Sequence, residues 1–238
     1  MGERLDTFDP AGFTETIQPP LPGADPLHRM GALYRRLADR VADVAQPVVF
    51  AGDCVSIIGV LAGLERRAVY PALVFFDAHG DFNTWETTPS GFIGGMPLAM
   101  VTGRGEQTIV EATGLTPLAD ERVVLVGARD LDPGEAVAVD ESGIAVSSVD
   151  EVMAAIPTDG PLYVHLDADV VDPVEMPAMN YPAPGGPSVA AVQAALGALE
   201  ATGRVVAFSV SCWNPELPGA ETAAGAVRRL TAPFITAD

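Results

Sequence analysis

The sequence predicts an α/β fold, three layers deep (α/β/α), around a mostly parallel central sheet. Three observations predict it. Short apolar β-like runs alternate along the chain with helical patterns, the arrangement that yields a parallel sheet covered on both faces. Two of those runs, Ala72-Leu-Val-Phe-Phe76 and Leu162-Tyr-Val-His-Leu166, end directly on acidic clusters, as strands do when they aim ligands into the crevice beyond a sheet's carboxyl edge. The 238 residues, 48% of them hydrophobic, suffice to bury one sizeable core, and neither an internal repeat nor a linker divides them. Residues 1–238 are therefore read as a single domain.

Each element follows from its residues. Residues 1–27 are polar and proline-rich, with Pro19-Pro20-Leu21-Pro22-Gly23, and read as an irregular arm. From His28 to Ala45, Met30, Leu33, Leu37, Val41 and Val44 recur at helical spacing. Gln46-Pro47 stops that helix and Val48-Val-Phe50 opens a buried strand. Ser56 to Leu64 reads as a helix, and Ala72–Phe76 as the next strand. A long loop rich in Thr, Gly and Pro follows from Phe82 to Gly95, and its length beside an acidic cluster marks it as functional. Further strands are expected at Arg122–Val126, Gly143–Val146, Pro161–Leu166 and Arg204–Phe208. Helices are expected at Ser188–Thr202 and Glu221–Leu230.

A net charge of −19 argues against nucleic acid as a partner, because phosphates demand a basic face. All 13 basic residues are arginines. Two cysteines, Cys54 and Cys212, are too few for a disulfide scaffold, which makes a reducing cytoplasm the default expectation. The N-terminal residues lack a charged stretch followed by an apolar one, so no signal peptide is expected. No apolar run approaches the roughly 20 residues of a membrane-spanning helix.

The chemistry concentrates in Asp77-Ala78-His79-Gly80-Asp81 and Asp167-Ala168-Asp169. Alternate residues at a strand end share one side, so Asp77, His79 and Asp81 can converge on one point, with Asp167 and Asp169 reaching it from a second strand. Carboxylates gathered this tightly repel one another unless cations lie between them. The pattern reads as a metal site, with room for two ions.

These residues resemble the arginase/agmatinase (ureohydrolase) family of manganese hydrolases. Asp77–Asp81 is similar to that family's Asp-Ala-His-x-Asp signature, and His165-Leu-Asp167-Ala-Asp169-Val-Val-Asp172-Pro173 to its second metal motif. Gly52-Asp53-Cys54 resembles its Gly-Gly-Asp-His turn with one ligand changed. The resemblance implies two Mn²⁺ ions bridged by Asp77 and Asp167, with Cys54 and Asp81 completing one and His79 with Asp169 the other. It implies a bridging water activated as the nucleophile, with Asp81 handling the proton. The thiol of Cys54 is softer than Mn²⁺ prefers, so another divalent metal can compete. Asn83 and Ser90 fall where arginase-like enzymes hold a substrate α-carboxylate, and Asp132 and Glu135, which precede a helix, where they hold the α-amino group.

Three departures from that pattern stand out. Besides Cys54, Gly94 occupies the position of a proton-shuttling histidine, with only His28 and His165 left to substitute. Cys212 occupies that of a glutamate partner of the guanidinium, and is read as a wall of the substrate pocket. Nω-hydroxy-L-arginine hydrolases of the D-cycloserine type resemble this chain in the cysteine ligand, the run His79–Thr84 and the pair Gly94-Gly95. The implied first strand and helix ahead of His28 are missing from the pattern. The resemblance thus implies a binuclear manganese hydrolase cleaving a linear C–N bond of a guanidino or N-hydroxyguanidino amino acid. Its products would be urea or hydroxyurea and an amine such as ornithine. Two alternatives stay open: a different amidine or amide substrate, and a non-catalytic metal-binding relative. Family members often form trimers or hexamers, so a homo-oligomer is implied as well.

Overall fold

The computed structural model describes residues 15–21, 23 and 25–235. Most of the arm expected over residues 1–27 lies outside them, and residues 15–21 precede the first helix without regular structure. In chain order the elements are α1 (Pro26–Ala42), β1 (Val48–Phe50), α2 (Ile57–Arg66), β2 (Ala72–Phe76), α3 (Pro97–Val101), α4 (Thr108–Thr113) and β3 (Val123–Val126). There follow α5 (Pro133–Asp140), β4 (Ala145–Ser147), α6 (Val152–Ala155), β5 (Leu162–Asp167), α7 (Val189–Glu200), β6 (Val205–Ser211) and α8 (Ala220–Thr231).

The helix starts are encoded locally. Pro26 opens α1 behind Asp25, whose side chain accepts the His28 N–H. Ser188 caps α7 through the Ala191 N–H. The first helix ends at Ala42 rather than Ala45, and Val44 is exposed instead of continuing the apolar stripe. Tyr34, Leu37, Ala38 and Val41 are the buried face of α1. Gly59 and Gly63 let α2 lie close against that face, since a Cβ at Gly63 would fall 2.6 Å from Val41 Cβ.

Among the described residues six strands form one sheet in the order β1-β6-β5-β2-β3-β4. Every neighbouring pair is parallel. The strands alternate their side chains between two packed layers. Val74, Phe76, Val164, Leu166 and Phe208 face α7 and α8, where Val192, Leu196, Leu199, Val227 and Leu230 are buried. Leu73, Phe75, Val123, Leu125 and Tyr163 face α1 to α4. This is the α/β/α fold the sequence predicts.

Register decides what meets at the carboxyl edge. Phe76 pairs with Leu166, so Asp77 and Asp167 sit side by side at the ends of β2 and β5. Asp167 pairs with Ser211 at the end of β6, and Val210 pairs with Phe50 at the end of β1. The residues that follow β1, β6, β5 and β2 therefore converge, the general address of ligand sites in open parallel sheets. β6 runs to Ser211, three residues past the apolar stretch that marked it, because Ser209 and Ser211 turn their hydroxyls onto His165.

Candidate metal centre and substrate cavity

A cavity of about 910 Å³ opens over this carboxyl edge. Its lining includes Cys54, His79, Asp81, Asn83, Ser90, Asp132, Glu135, Asp167, Asp169 and Cys212, with Asp77 buried just beneath. All eleven residues singled out from the sequence are thus gathered in one place.

The acidic motifs hold each other in position. Asp77 Oδ1 accepts the His79 N–H at 2.7 Å, and Asp167 Oδ1 accepts the Asp169 N–H at 2.9 Å. The two motifs are tied across the sheet by the Ala78 N–H donating to Asp169 Oδ1 at 3.2 Å. His79 Nδ1 lies 3.1 Å from Asp169 Oδ2 and 3.3 Å from Asp77 Oδ1. The Cys54 thiol donates to Asp167 Oδ2 at 2.7 Å and lies 4.0 Å from Asp77 Oδ2. Asp81 has φ +50, a left-handed conformation that aspartate adopts more readily than most residues. It is 6% exposed, and among the described residues its Oδ2 has no hydrogen-bond partner.

Among the described residues three sets of donors lie within 4.8 Å of one another: Cys54 with Asp77 and Asp81, Asp77 with His79 and Asp169, and Cys54 with Asp167 and Cys212. The first two share Asp77, as expected from sequence, but neither includes Asp167, which was expected to belong to both. Asp167 stands nearer the two thiols than the His79 group, which the sequence reading did not anticipate.

The electrostatics require compensation. Burial, followed by the charge of Asp169, pushes the Asp77 carboxyl up to about 7, against the pull of His79. Burial, with Asp77 and Asp167 adding to it, holds Asp81 well above the usual carboxylate range, and Asp167 is raised in the same way. Burial opposes charge on His79, but its hydrogen bonds to Asp169 and Asp77 outweigh it and push the imidazole up to about 12. Buried carboxylates with one orphaned oxygen and oxygen, nitrogen and sulfur donors in reach form a donor set that divalent cations fit.

The substrate side is a linked network. Asn83 Nδ2 donates to Asp132 Oδ2 at 2.9 Å, and the Thr87 hydroxyl donates to Asn83 Oδ1 at 2.9 Å. Asp132 is the N-cap of α5, and Glu135 lies within its first turn rather than ahead of the helix. Glu135 Oε1 accepts the Phe82 N–H at 2.8 Å and Oε2 the Asp132 N–H at 3.1 Å, so its carboxylate ties the cavity loop to α5. Gly80 makes this contact feasible, because a Cβ there would lie 2.6 Å from the Glu135 carboxyl carbon. Ser90 is exposed on the wall and accepts the Phe92 N–H at 3.2 Å.

Of the three histidines, only His79 lines the cavity. His28 is exposed and pairs with Asp25 at the start of α1. His165 is fully buried, stacked on Phe75 with ring centroids 4.8 Å apart, and bonded to Ser209 and Ser211. Burial pushes it down to about 3, which keeps it a neutral core residue. A Cβ at Gly94 would fall 2.2 Å from Phe92 Cε1, so the Phe92 ring lies where a side chain at position 94 would begin.

Sequence reasoning missed several lining residues. Tyr34 donates to Asp53 Oδ1 at 2.5 Å in the cavity wall, and its spacing four after Met30 and three before Leu37 was the available signal. Phe92 and Tyr181, with ring centroids 5.4 Å apart, line the cavity from two separate loops, a pairing no local pattern announces.

A model of the arginase family matches residues 7–234. Arginase of Bacillus subtilis (strain 168) is 36% identical over 168 residues, 63% of this chain and 57% of that protein. N(omega)-hydroxy-L-arginine amidinohydrolase of Streptomyces lavendulae is 33% identical over 159 residues, 65% of this chain and 56% of that protein. A solved arginase from Bacillus caldovelox has a TM-score of 0.82 at 28% identity, covering 96% of this chain and 83% of that one. The chain thus spans little more than half the length of the curated relatives it matches.

Proposed function

The chain belongs to the arginase family, and from that premise we propose that it is a binuclear manganese hydrolase. It cleaves a linear C–N bond of a guanidino or N-hydroxyguanidino amino acid, yielding urea or hydroxyurea and an amine such as ornithine. The observation that carries this reading is Asp81, whose unpartnered, buried Oδ2 belongs to a cluster with Asp77, His79, Cys54, Asp167 and Asp169 on the cavity lining. A scaffold has no need of an orphaned carboxylate oxygen, whose burial is costly.

In this reading Asp77, Cys54 and Asp81 would hold one ion, and His79 and Asp169 with Asp77 the other, with Asp167 joining from β5. When bound, the ions supply Lewis-acid polarisation and a water activated at neutral pH. Asp81 takes up a proton on its free oxygen and delivers it to the departing amine, the task of a general acid–base. Asn83 and Ser90 receive the substrate α-carboxylate, while Asp132 and Glu135 receive the α-amino group. Each Glu135 oxygen keeps a second lone pair beyond its backbone bond. Cys212 walls the inner end of the pocket.

The hydroxyguanidine variant of the substrate is favoured by a specific observation. The space beside Gly94 is taken by the Phe92 ring, and neither remaining histidine reaches the cavity, so no imidazole shuttle serves the leaving group. A hydroxyguanidine is less basic than a guanidine and demands less of that shuttle. The proposed setting is the cytoplasm, as a homo-oligomer acting on a small amino acid. Among the described residues no helix is long and apolar enough to cross a membrane.

The test compares manganese-loaded wild type with Asp169→Asn for release of urea or hydroxyurea. Turnover by wild type that Asp169→Asn abolishes supports the enzyme. A wild type that releases neither product from any guanidino or hydroxyguanidino amino acid overturns it.

A further inference from the structure

The inner corner of the site carries more sulfur than the proposed manganese centre calls for. β1, β6 and β5 are neighbours in the sheet, so the residues after the first two and at the end of the third meet. Cys54 Sγ lies 3.4 Å from Cys212 Sγ, 2.7 Å from Asp167 Oδ2 and 3.1 Å from Ser211 Oγ. Both cysteines are free thiols. Two sulfurs bound to one tetrahedral zinc ion at about 2.3 Å each stand about 3.8 Å apart. The observed 3.4 Å is within a few tenths of that spacing.

The backbone directs both thiols to the same point. Cys212 has φ +66 immediately after β6, which turns the chain so that its side chain joins Cys54 rather than continuing the strand's alternation. Cys54 also belongs to the group with Asp77 and Asp81, whose buried Oδ2 has no partner. Cys54 is thus shared between the two-thiol group and an aspartate pair.

We infer that Cys212 is a metal ligand, and that Cys54, Cys212 and Asp167 form a two-sulfur, one-carboxylate position selective for a thiophilic divalent ion such as Zn²⁺ or Co²⁺. The neighbouring position of Asp77, His79 and Asp169 offers only oxygen and nitrogen and suits Mn²⁺. The centre is then built for two different metals. As each sulfur–metal bond forms, the thiol proton leaves to solvent, and no oxidant or reductant takes part. This inference rests on the proposed metal centre and departs from it at the Cys54 position, where a thiophilic ion held also by Cys212 and Asp167 takes the place of one manganese.

The test is a Co²⁺ titration of reduced, metal-stripped protein followed by absorption spectroscopy. Wild type is expected to develop a sulfur-to-cobalt charge-transfer band that drops by about half in Cys212→Ser and is lost in the Cys54→Ser/Cys212→Ser double variant. One equivalent of Zn²⁺ abolishes the band, whereas a tenfold excess of Mn²⁺ leaves it. Full intensity in Cys212→Ser, or displacement by Mn²⁺ as readily as by Zn²⁺, overturns the inference. A measurement on wild type alone guards against misfolded variants: the half-buried Cys212 thiol should react with a maleimide in stripped protein and be protected by one equivalent of Zn²⁺. Unchanged labelling of Cys212 with Zn²⁺ bound would also overturn it. Failure of the proposed activity is read separately, because a two-sulfur spectrum without hydrolysis removes the enzyme and leaves the metal position.

Discussion

His79 Nδ1 stands 3.1 Å from Asp169 Oδ2, joining the loop after β2 to the turn after β5 across the carboxyl edge of the sheet. The same imidazole lies 3.3 Å from Asp77 Oδ1, so it touches two of the buried acids. A divalent ion binding here would carry more charge and satisfy more oxygens than the imidazolium does.

Metal addition should accordingly stabilise the fold. A ligand at about 100 times its dissociation constant adds about 2.7 kcal/mol, or roughly 5–10 °C in a domain of this size. Differential scanning fluorimetry with and without Mn²⁺, and again after chelation, measures this. An unchanged midpoint would contradict a metal centre at this cluster.

Asp81→Asn should lower kcat by about 100-fold or more while the circular dichroism spectrum stays that of wild type. The amide removes the free carboxylate oxygen without removing volume. A variant that turns over normally would take Asp81 out of the reaction.

Gly80→Ala tests the packing that holds the loop. The added Cβ meets the Glu135 carboxyl at 2.6 Å, and both Glu135 oxygens are committed to the backbone of Phe82 and Asp132. Overpacking of this kind typically costs about 1–3 kcal/mol, and urea unfolding should show a loss in that range together with reduced activity. A neutral substitution would mean that Glu135 is not the anchor described.

The substrate network predicts a selective kinetic effect. Asn83→Ala removes a carboxylate contact and frees Asp132, so KM for an amino-acid substrate should rise about tenfold with kcat little changed. The same variant should discriminate less against a decarboxylated substrate. Equal effects on both substrates would remove Asn83 from carboxylate recognition.

Much of this architecture was legible because its strands are short apolar runs that end on acids. Ala72–Phe76 before Asp77 and Leu162–Leu166 before Asp167 announce both the strand and the site. The helices at Pro97–Val101, Thr108–Thr113 and Val152–Ala155 escaped notice, since at four to six residues they are too short for a helical period to emerge. The end of β6 was hidden by its serines, polar residues whose hydroxyls are paired in the core by His165, Tyr163 and Cys54. The meeting of Asp167 with both thiols depends on β6 lying between β1 and β5, and a neighbour relation between strands so distant in sequence leaves no trace in local pattern.

The central claim is hydrolysis of a guanidine-type carbon bearing an amino-acid tail. Its most direct test incubates manganese-loaded protein separately with L-arginine and Nω-hydroxy-L-arginine and quantifies ornithine by mass spectrometry. The account predicts ornithine from both or from hydroxyarginine alone, with hydroxyarginine well ahead. Ornithine from neither would contradict it.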